Sequence, residues 1–294
     1  MRWNKVTLVG VGLLGGSLGM ALRRRRLAGS VAGFLRRKST ARDCLRLGAV
    51  DNATLDLQQA VRGADLVILC TPIAQMHGLV KQMAEYLEPG ALVTDVGSVK
   101  KSVVDELSPV VRRAGAHFVG SHPMAGSEKT GVTAARPDLF VEALCVVTPV
   151  KQSNPRAVRQ VRHLWKAVGA RVLLLDPAAH DELVSRSSHL PHVVAAQLSN
   201  LVLHPRSPKY QAMLCANGFR DTTRIASSSP EMWRDIAIAN RRNLLGAIDS
   251  FLTGLRGFQR ALRGHDSGAI LNFFEEARTR RDAWSKRAAA HSPE

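Results

Sequence analysis

The sequence predicts a doubly wound parallel α/β sheet in the N-terminal part of the chain and an all-helical C-terminal part. Three observations carry this prediction. Short apolar runs alternate with helical stretches over residues 1–176, and a glycine-rich loop joins the first run to the first helix. From residue 177 onwards, apolar residues recur only at helical spacing. We therefore expect two domains, residues 1–176 and 177–294.

The strands predicted in the first part are apolar throughout rather than alternating. Such runs are typical of a parallel sheet that helices cover on both faces. The predicted strands are residues 5–12, 30–35, 64–72, 91–98, 116–123, 143–150 and 171–177. The predicted helices between them are residues 17–28, 39–49, 75–87 and 100–115.

The second part has apolar residues at helical spacing over residues 177–204, 231–263 and 267–290. Pro205 and Pro208 indicate a break between helices, because proline ends the hydrogen-bonding pattern of a helix. No further strand is expected here.

Composition excludes several classes of protein. Hydrophobic residues make up 45% of the 294 residues, which suits a globular core, and no apolar run approaches the roughly 20 residues that span a bilayer. The four cysteines lie far apart without metal-ligand spacing, so we expect reduced thiols, a cytoplasmic location and no signal peptide. The formal charge is +17, yet no nucleic-acid-binding motif accompanies it. We therefore expect no nucleic-acid or membrane partner, and clefts suited to anionic small molecules.

The glycine-rich loop is "VGVGLLGGS", in which Leu13 and Leu14 separate the second and third glycines of a G-x-G-x-x-G pattern. The pattern follows a strand and opens a helix, which is the context of a Rossmann-type dinucleotide site. Thr71 and Pro72 follow a later parallel strand and should meet the loop at the same edge of the sheet. The predicted cofactor contacts here are Gly10, Gly12, Leu13, Leu14, Gly15, Thr71 and Pro72.

The end of the second strand distinguishes the two nicotinamide dinucleotides. An NAD site usually has an acidic residue there, whereas this sequence has Leu35. Guanidinium and hydroxyl groups follow, and they suit a 2′-phosphate. They predict a preference for NADP over NAD, with contacts from Arg36, Arg37, Ser39 and Thr40. The alternative is that these residues are solvated positions at a helix entry.

Several polar motifs then stand out, above all "SHPMAGSEKTG" at residues 121–131. The proline after His122 favours an extended backbone, and a neutral histidine is suited to accept a proton near pH 7. A cation close to His122 would keep it neutral. The other motifs are "DVGSVK" (95–100), "SSHLPH" (187–192) and "GFRDTTRIA" (218–226).

Together with the glycine loop and "CTP" (70–72), these motifs resemble the prephenate/arogenate dehydrogenases of tyrosine biosynthesis, collinearly over about residues 5–245. The resemblance implies a nucleotide-binding domain followed by a helical dimerisation domain, and hence a homodimer. It also implies oxidative decarboxylation of a cyclohexadienol acid, with hydride passing to NAD(P).

Three residues take central roles by this resemblance. His122 matches the histidine that hydrogen-bonds the ring hydroxyl of the substrate, and Ser98 matches a serine that helps to hold that hydroxyl. Arg224 matches the arginine that binds the ring carboxylate. For Ser98, a plain role as the N-cap of helix 100–115 stays open.

Four further residues are implied to lie around the substrate. Asp221 and Glu128 match acidic members of an ionic network, and His189 and His192 match paired histidines near the substrate side chain. Purely structural roles stay open for each. The remaining histidines have no metal-ligand spacing, so we expect no metal.

Substrate choice depends on contrary signals. His192 points by resemblance to members that accept prephenate, whereas the NADP pattern points towards arogenate-specific members. We expect prephenate, or use of both substrates. We also expect this chain to lack the regulatory domain that many members of the family carry. The alternatives are another NADP enzyme, such as a β-hydroxyacid dehydrogenase or imine reductase, and a non-catalytic NADP-binding protein.

Overall fold

The computed structural model describes residues 1–126 and 129–290, with side chains described as far as residue 287. The chain divides into two compact units, Met1–Arg241 and the part from Arg242 onwards. The domain boundary expected after residue 176 stays a prediction, although every element described after Leu174 is helical.

The first unit contains a six-stranded parallel sheet in the order β3-β2-β1-β4-β5-β6. This is the strand order of doubly wound dinucleotide-binding folds, and the predicted fold class is confirmed. The strands are Trp3–Val9 (β1), Ala28–Phe34 (β2), Asn52–Thr54 (β3), Leu66–Leu69 (β4), Leu92–Asp95 (β5) and His117–Phe118 (β6). The short β3 was not predicted, because it has no apolar run.

A second sheet has three strands in the order β7-β8-β9, namely Gly120–Pro123 (β7), Leu144–Thr148 (β8) and Arg171–Leu174 (β9). The single strand predicted over 116–123 is wrong, because the backbone leaves the first sheet at Val119. The Val119 N–H donates to the Val93 carbonyl (3.0 Å), whereas His122 pairs with Val146 in an antiparallel ladder. His122 therefore lies on a strand of the second sheet.

Helices cover both faces of the large sheet. Neighbouring strand residues face opposite sides, so that Leu8 and Ile68 pack in one core while Val9 and Leu69 pack in the other. The helices of this part are Leu13–Arg24 (α1), Lys38–Arg46 (α2), Leu57–Val61 (α3), Ile73–Met83 (α4), Lys101–Arg113 (α5) and Pro155–Ala167 (α6).

The helical part of the first unit comprises Pro177–Val184 (α7), Leu190–Val202 (α8), Asn217–Thr223 (α9) and Pro230–Ala239 (α10). A π-helical turn, Ser185–His189, joins α7 to α8, and the break predicted at Pro205 and Pro208 follows α8. The helix expected over 231–263 is interrupted at Asn240, whose buried amide is used in the site described below.

The second unit contains two helices, Arg241–Arg263 (α11) and Ser267–Ala290 (α12). The unit begins at Arg242, the second residue of α11. Phe258 packs against Phe273 and Phe274, with ring centroids 4.6 and 5.7 Å apart. Throughout the described residues, no helix is long and apolar enough to cross a membrane. The four cysteines are free, and the expected cytoplasmic location stays a prediction.

Candidate active site

The glycine-rich loop requires glycine at two positions. Gly10 has φ +95°, a conformation that side chains disfavour, and its N–H donates to the Phe34 carbonyl at 3.0 Å. A Cβ on Gly15 would lie 2.3 Å from the Gly10 carbonyl oxygen, so only glycine lets α1 pack this closely against the loop.

The other side of this loop is open. A Cβ on Gly12 would meet nothing within 4 Å, and Gly12 precedes α1 without a side-chain cap. The N–H groups of the first helical turn, including Leu13 and Leu14, therefore remain available to an anion. The Thr71 hydroxyl close by is buried without a hydrogen-bond partner among the described residues. Exposed Pro72 caps α4 at the same edge. These features fit the pyrophosphate of a dinucleotide.

The end of β2 presents cations and hydroxyls but no carboxylate. Leu35, at the usual position of the acid, is buried, whereas Arg36, Arg37 and Ser39 are exposed and Thr40 is half-buried. Arg37 is the residue before α2, so the group lies at a second helix N-terminus. This arrangement suits a phosphate on the adenosine ribose.

His122 begins a chain of hydrogen bonds that leads to a carboxylate. Its Nδ1 lies 2.8 Å from His180 Nε2, and His180 Nδ1 lies 2.8 Å from Asp181 Oδ1. We call these three residues the histidine chain. Both histidine rings and the carboxyl group are buried. The histidine chain joins β7 to α7, so it links the three-stranded sheet to the helices that follow it in the polypeptide.

The carboxylate at the end of the histidine chain determines where the protons lie. Asp181 only accepts hydrogen bonds, so His180 carries its proton on Nδ1. His180 Nε2 then accepts from His122 Nδ1–H, which leaves His122 Nε2 as a lone pair.

Asp181 also holds the start of α5. Its two carboxyl oxygens accept from the backbone N–H groups of Lys100 (2.7 Å) and Lys101 (2.9 Å). The residue that precedes α5 is Lys100, with no side-chain cap of its own, and Asp181 supplies the acceptors from a distant helix. The alternative role of Ser98 as the N-cap is therefore wrong. Ser98 is half-buried just before Lys100.

A buried ion pair lies beneath His122. The Lys100 ammonium contacts the Asp95 carboxylate and donates to the Ser121 carbonyl at 2.9 Å. Asp95 in turn accepts from the Ser121 N–H at 3.1 Å, and both charged side chains are 0% exposed. Lys100 thus places a cation close to His122, and these bonds fix the backbone next to the histidine.

The surroundings of His122 favour its neutral form. Burial lowers the pKa of His122 well below its usual value, and unfavourable electrostatic interactions of the protonated ring with His180, Lys100 and His189 lower it further. A neutral imidazole can accept a proton, so the environment keeps His122 ready to act as an acceptor at neutral pH.

His189, His192 and Trp233 form a second group, which we call the tryptophan cluster. The His192 ring stacks on Trp233 with centroids 3.6 Å apart, and His189 meets the edge of Trp233 at 5.9 Å. Trp233 therefore contacts both predicted histidines. His189 Nε2 and Trp233 Nε1 are buried without hydrogen-bond partners among the described residues.

Burial also lowers the pKa of both histidines in this cluster. For His189 the pKa falls to about 4, although the Asp181 carboxylate opposes the shift. The Ser98 backbone lies close enough to His189 to raise its pKa, yet Nε2 has no completed hydrogen bond. For His192 the Ser188 carbonyl, which accepts from Nδ1–H at 2.9 Å, opposes burial, while the charge of Arg224 lowers the pKa further.

The remaining predicted residues are placed less centrally. Arg224 is exposed at the start of the 3₁₀ turn Arg224–Ser227, close enough to act on His192. Asp221 is exposed on α9, and no hydrogen bond or ion pair of its side chain is found within residues 1–126 and 129–290. Glu128 lies outside the described residues. The described part of the chain contains no group of three residues suited to a metal ion.

Sequence reasoning missed four residues of this site. His180 was set aside as one of several histidines, and Asp181, Lys100 and Asn240 were not singled out. A signal existed for the first two, because Pro177, His180, Asp181 and Val184 share the buried face of α7. Two polar residues on an otherwise apolar helix face indicate a buried network. Asn240 donates to the Asp181 carbonyl at 2.8 Å and lies 3.1 Å from His189 Nδ1.

Two family models match nearly the whole chain. One describes the prephenate dehydrogenase nucleotide-binding domain and matches residues 18–174. The other describes the prephenate dehydrogenase dimerization domain and matches residues 176–276.

Individual proteins agree with this result. A prephenate dehydrogenase of Bacillus subtilis is 35% identical over 95% of this chain and 76% of its own. A cyclohexadienyl dehydrogenase of Zymomonas mobilis is 32% identical over 95% of both chains. The crystal structure of A. aeolicus prephenate dehydrogenase with hydroxyphenyl propionate and NAD+ superimposes with a TM-score of 0.90 and 31% identity, covering 96% of this chain and 99% of that one. The chain therefore belongs to the prephenate dehydrogenase family, as its motifs indicated.

Proposed function

We propose that the protein catalyses the oxidative decarboxylation of prephenate to 4-hydroxyphenylpyruvate, with NADP as the preferred hydride acceptor and arogenate as a further substrate. The observation that carries this proposal is the buried His122, whose lowered pKa favours the neutral ring and whose Nδ1 lies 2.8 Å from His180 Nε2, so that Nε2 is the ring nitrogen left to meet a substrate. An enzyme that oxidises a ring alcohol needs such an acceptor at the hydroxyl.

The reaction balances without net release of a proton. The ring loses hydride from the carbon that bears the hydroxyl, and the carboxylate leaves as carbon dioxide while its bonding electrons complete the aromatic ring. The nicotinamide, when bound, supplies the hydride acceptor. His122 accepts a hydrogen bond from the hydroxyl while positive charge develops there, and it returns that proton to the phenol.

Other predicted residues complete the site in this proposal. Ser98, next to the His189 ring, helps to hold the hydroxyl, and Arg224 binds the ring carboxylate. His189 Nε2 and Trp233 Nε1 are buried donors that a substrate would satisfy. Asp221 and Glu128 belong to a surrounding ionic network.

The reaction itself is tested by mixing purified protein with prephenate and NADP. Reduced nicotinamide should appear in equal amount to 4-hydroxyphenylpyruvate, measured by absorbance and chromatography. A strong preference for arogenate, at least about a hundredfold in kcat/KM, would instead make the protein an arogenate dehydrogenase. Activity only on β-hydroxyacids or imines would overturn the family reaction.

The NADP preference rests on the exposed Arg36 and Arg37 at the end of β2 and on the buried Leu35 in place of an acid. The related A. aeolicus structure contains NAD+, so this preference would be a feature of this chain. We expect Arg36→Ala to raise the KM for NADP about tenfold or more and to leave that for NAD unchanged. Arg42→Ala, an exposed arginine on α2, is the matched control. Equal efficiency of the wild-type enzyme with NAD would contradict the preference.

We also propose a homodimer through the dimerization domain that residues 176–276 match. Large apolar side chains are exposed along α11 and α12, among them Phe251, Leu255, Phe274 and Trp284. Such side chains are typical of a subunit interface. Light scattering of the purified protein tests this, and a monomer at micromolar concentration would contradict it.

A further inference from the structure

We propose that His180 and Asp181 are positioning residues for the reaction, which hold His122 in the Nδ1–H tautomer and so keep Nε2 as its acceptor. The inference rests on the proposed function, because the acceptor matters only if a substrate hydroxyl meets it. Neither residue would need to touch substrate or cofactor.

The tautomer follows from hydrogen-bond geometry at two contacts. If His180 carried its proton on Nε2, its Nδ1 lone pair would face the Asp181 carboxylate at 2.8 Å, and two acceptors would repel each other. The proton therefore lies on Nδ1. His180 Nε2 must then accept, and at 2.8 Å the only donor that His122 offers is Nδ1–H.

Asp181 is held firmly enough to act as the anchor of this chain. The backbone N–H groups of Lys100 and Lys101 bind its two oxygens, and Asn240 binds its backbone carbonyl at 2.8 Å. The side chain is 2% exposed, so water does not compete for these bonds. A carboxylate fixed in this way orients one imidazole, which in turn orients the next.

The histidine chain also stabilises the positive charge that develops on the His122 ring during the reaction. When the hydroxyl shares its proton with His122 Nε2, positive charge develops on a buried ring whose surroundings disfavour it. His180 lies between that ring and the Asp181 carboxylate, so the Nδ1–H bond of His122 strengthens as the charge appears. Loss of this bond should therefore lower kcat more than it weakens substrate binding.

The tautomer can be measured without any turnover. Histidine labelled with ¹⁵N in the wild-type protein gives distinct imidazole signals for protonated and unprotonated nitrogens. Signals of His122 and His180 are assigned by their loss in His122→Asn and His180→Gln. We expect both residues to carry their single proton on Nδ1 at pH 7. A proton on His122 Nε2, or a doubly protonated His180, would overturn the proposal.

Kinetics tests the role in the reaction. His180→Leu should lower kcat by roughly 10²-fold or more, with KM for the substrate within about threefold of wild type. His180→Gln should recover most of this loss, because its amide can accept from His122 and donate to Asp181. The matched control is His117→Leu, which replaces a half-buried histidine on β6 that does not belong to the histidine chain. This variant should keep the wild-type rate. A His180→Leu enzyme with unchanged kcat would overturn the proposal.

The two proposals fail in different ways. A wild-type protein that turns over neither prephenate nor arogenate would overturn the proposed function, while the nitrogen signals would still decide the tautomer. If His180→Leu did not fold, judged by circular dichroism, the Gln variant and the labelled wild type would still decide the question. A Gln variant as impaired as a folded Leu variant would show that hydrogen bonding through residue 180 is not what the reaction requires.

Discussion

Two neighbouring groups of buried polar side chains differ in how their hydrogen bonds are satisfied. In the histidine chain of Asp181, His180 and His122, each link is a 2.8 Å hydrogen bond inside the protein. In the tryptophan cluster, His189 Nε2 and Trp233 Nε1 are buried but have no partner in the described structure. Because an unsatisfied buried donor is costly, this difference supports the two proposals, in which the histidine chain fixes geometry and the tryptophan cluster receives a ligand.

Asn240 joins the two groups and makes the contrast sharper. Its amide donates to the Asp181 carbonyl and lies 3.1 Å from His189 Nδ1, which therefore accepts. The proton of neutral His189 is then on Nε2, the atom without a partner. The same asparagine thus completes the bonding of one group and presents a free donor in the other.

The largest effect on activity is expected from His122→Asn, which removes the proton acceptor at the end of the histidine chain. An amide cannot share the hydroxyl proton as an imidazole does, so kcat should fall by about 10³-fold or more. The KM for substrate should change little, because other residues bind the carboxylates. Steady-state kinetics at saturating cofactor measures both constants. A variant with weaker substrate binding but an unchanged kcat would show that His122 binds substrate, as proposed for the tryptophan cluster, and does not accept the proton.

The next effect concerns the buried ion pair of Lys100 and Asp95, which lies beneath His122. Lys100→Met should lower the free energy of unfolding by about 3–5 kcal/mol, because it leaves the Asp95 carboxylate buried without its partner. Lys101→Met is the matched control, since its ion pair with Asp105 lies at the surface and its loss should cost less than about 1 kcal/mol. Urea unfolding compares the two, and equal losses would contradict the assigned role of Lys100.

The sequence predicted the doubly wound fold, the glycine loop and the extended backbone at His122 well, because each depends on local pattern. Apolar strands, glycines with required conformations and a His-Pro pair can be recognised in a few adjacent residues. The bonds from His122 to His180 and from Asp181 to Lys100 span 58 and 81 residues, and no local pattern announces them. The change of sheet at Val119 was missed for the same reason, because the run 116–123 is continuous in sequence but pairs with two different partners.

His189 of the tryptophan cluster should lower the free energy of unfolding at acid pH. Burial lowers the pKa of His189 to about 4, whereas the unfolded side chain titrates near 6.5. As the pH falls through this window the unfolded state binds the proton first, so stability is full above about pH 6.5 and is lost towards pH 4. The contribution is roughly 3 kcal/mol. Urea unfolding at several pH values should give a shallower dependence for His189→Gln than for wild type, and parallel curves would contradict the assignment.

The smallest effect concerns His192 of the tryptophan cluster and the preference of the enzyme for prephenate over arogenate. Burial lowers the pKa of His192, whose Nδ1–H already donates to the Ser188 carbonyl, so at neutral pH its Nε2 is an acceptor. An acceptor suits the ammonium of arogenate, whereas the protonated ring donates to the keto acid of prephenate. Above the pKa of His192, the protonated fraction grows about tenfold for each unit by which the pH falls. The ratio of kcat/KM for prephenate to that for arogenate should therefore rise by up to about tenfold from pH 7 to pH 6. Titration of His122 affects both substrates alike and cancels in this ratio. His192→Gln should make the ratio independent of pH, and a wild-type ratio that stays constant or falls at acid pH would remove His192 from the substrate side chain.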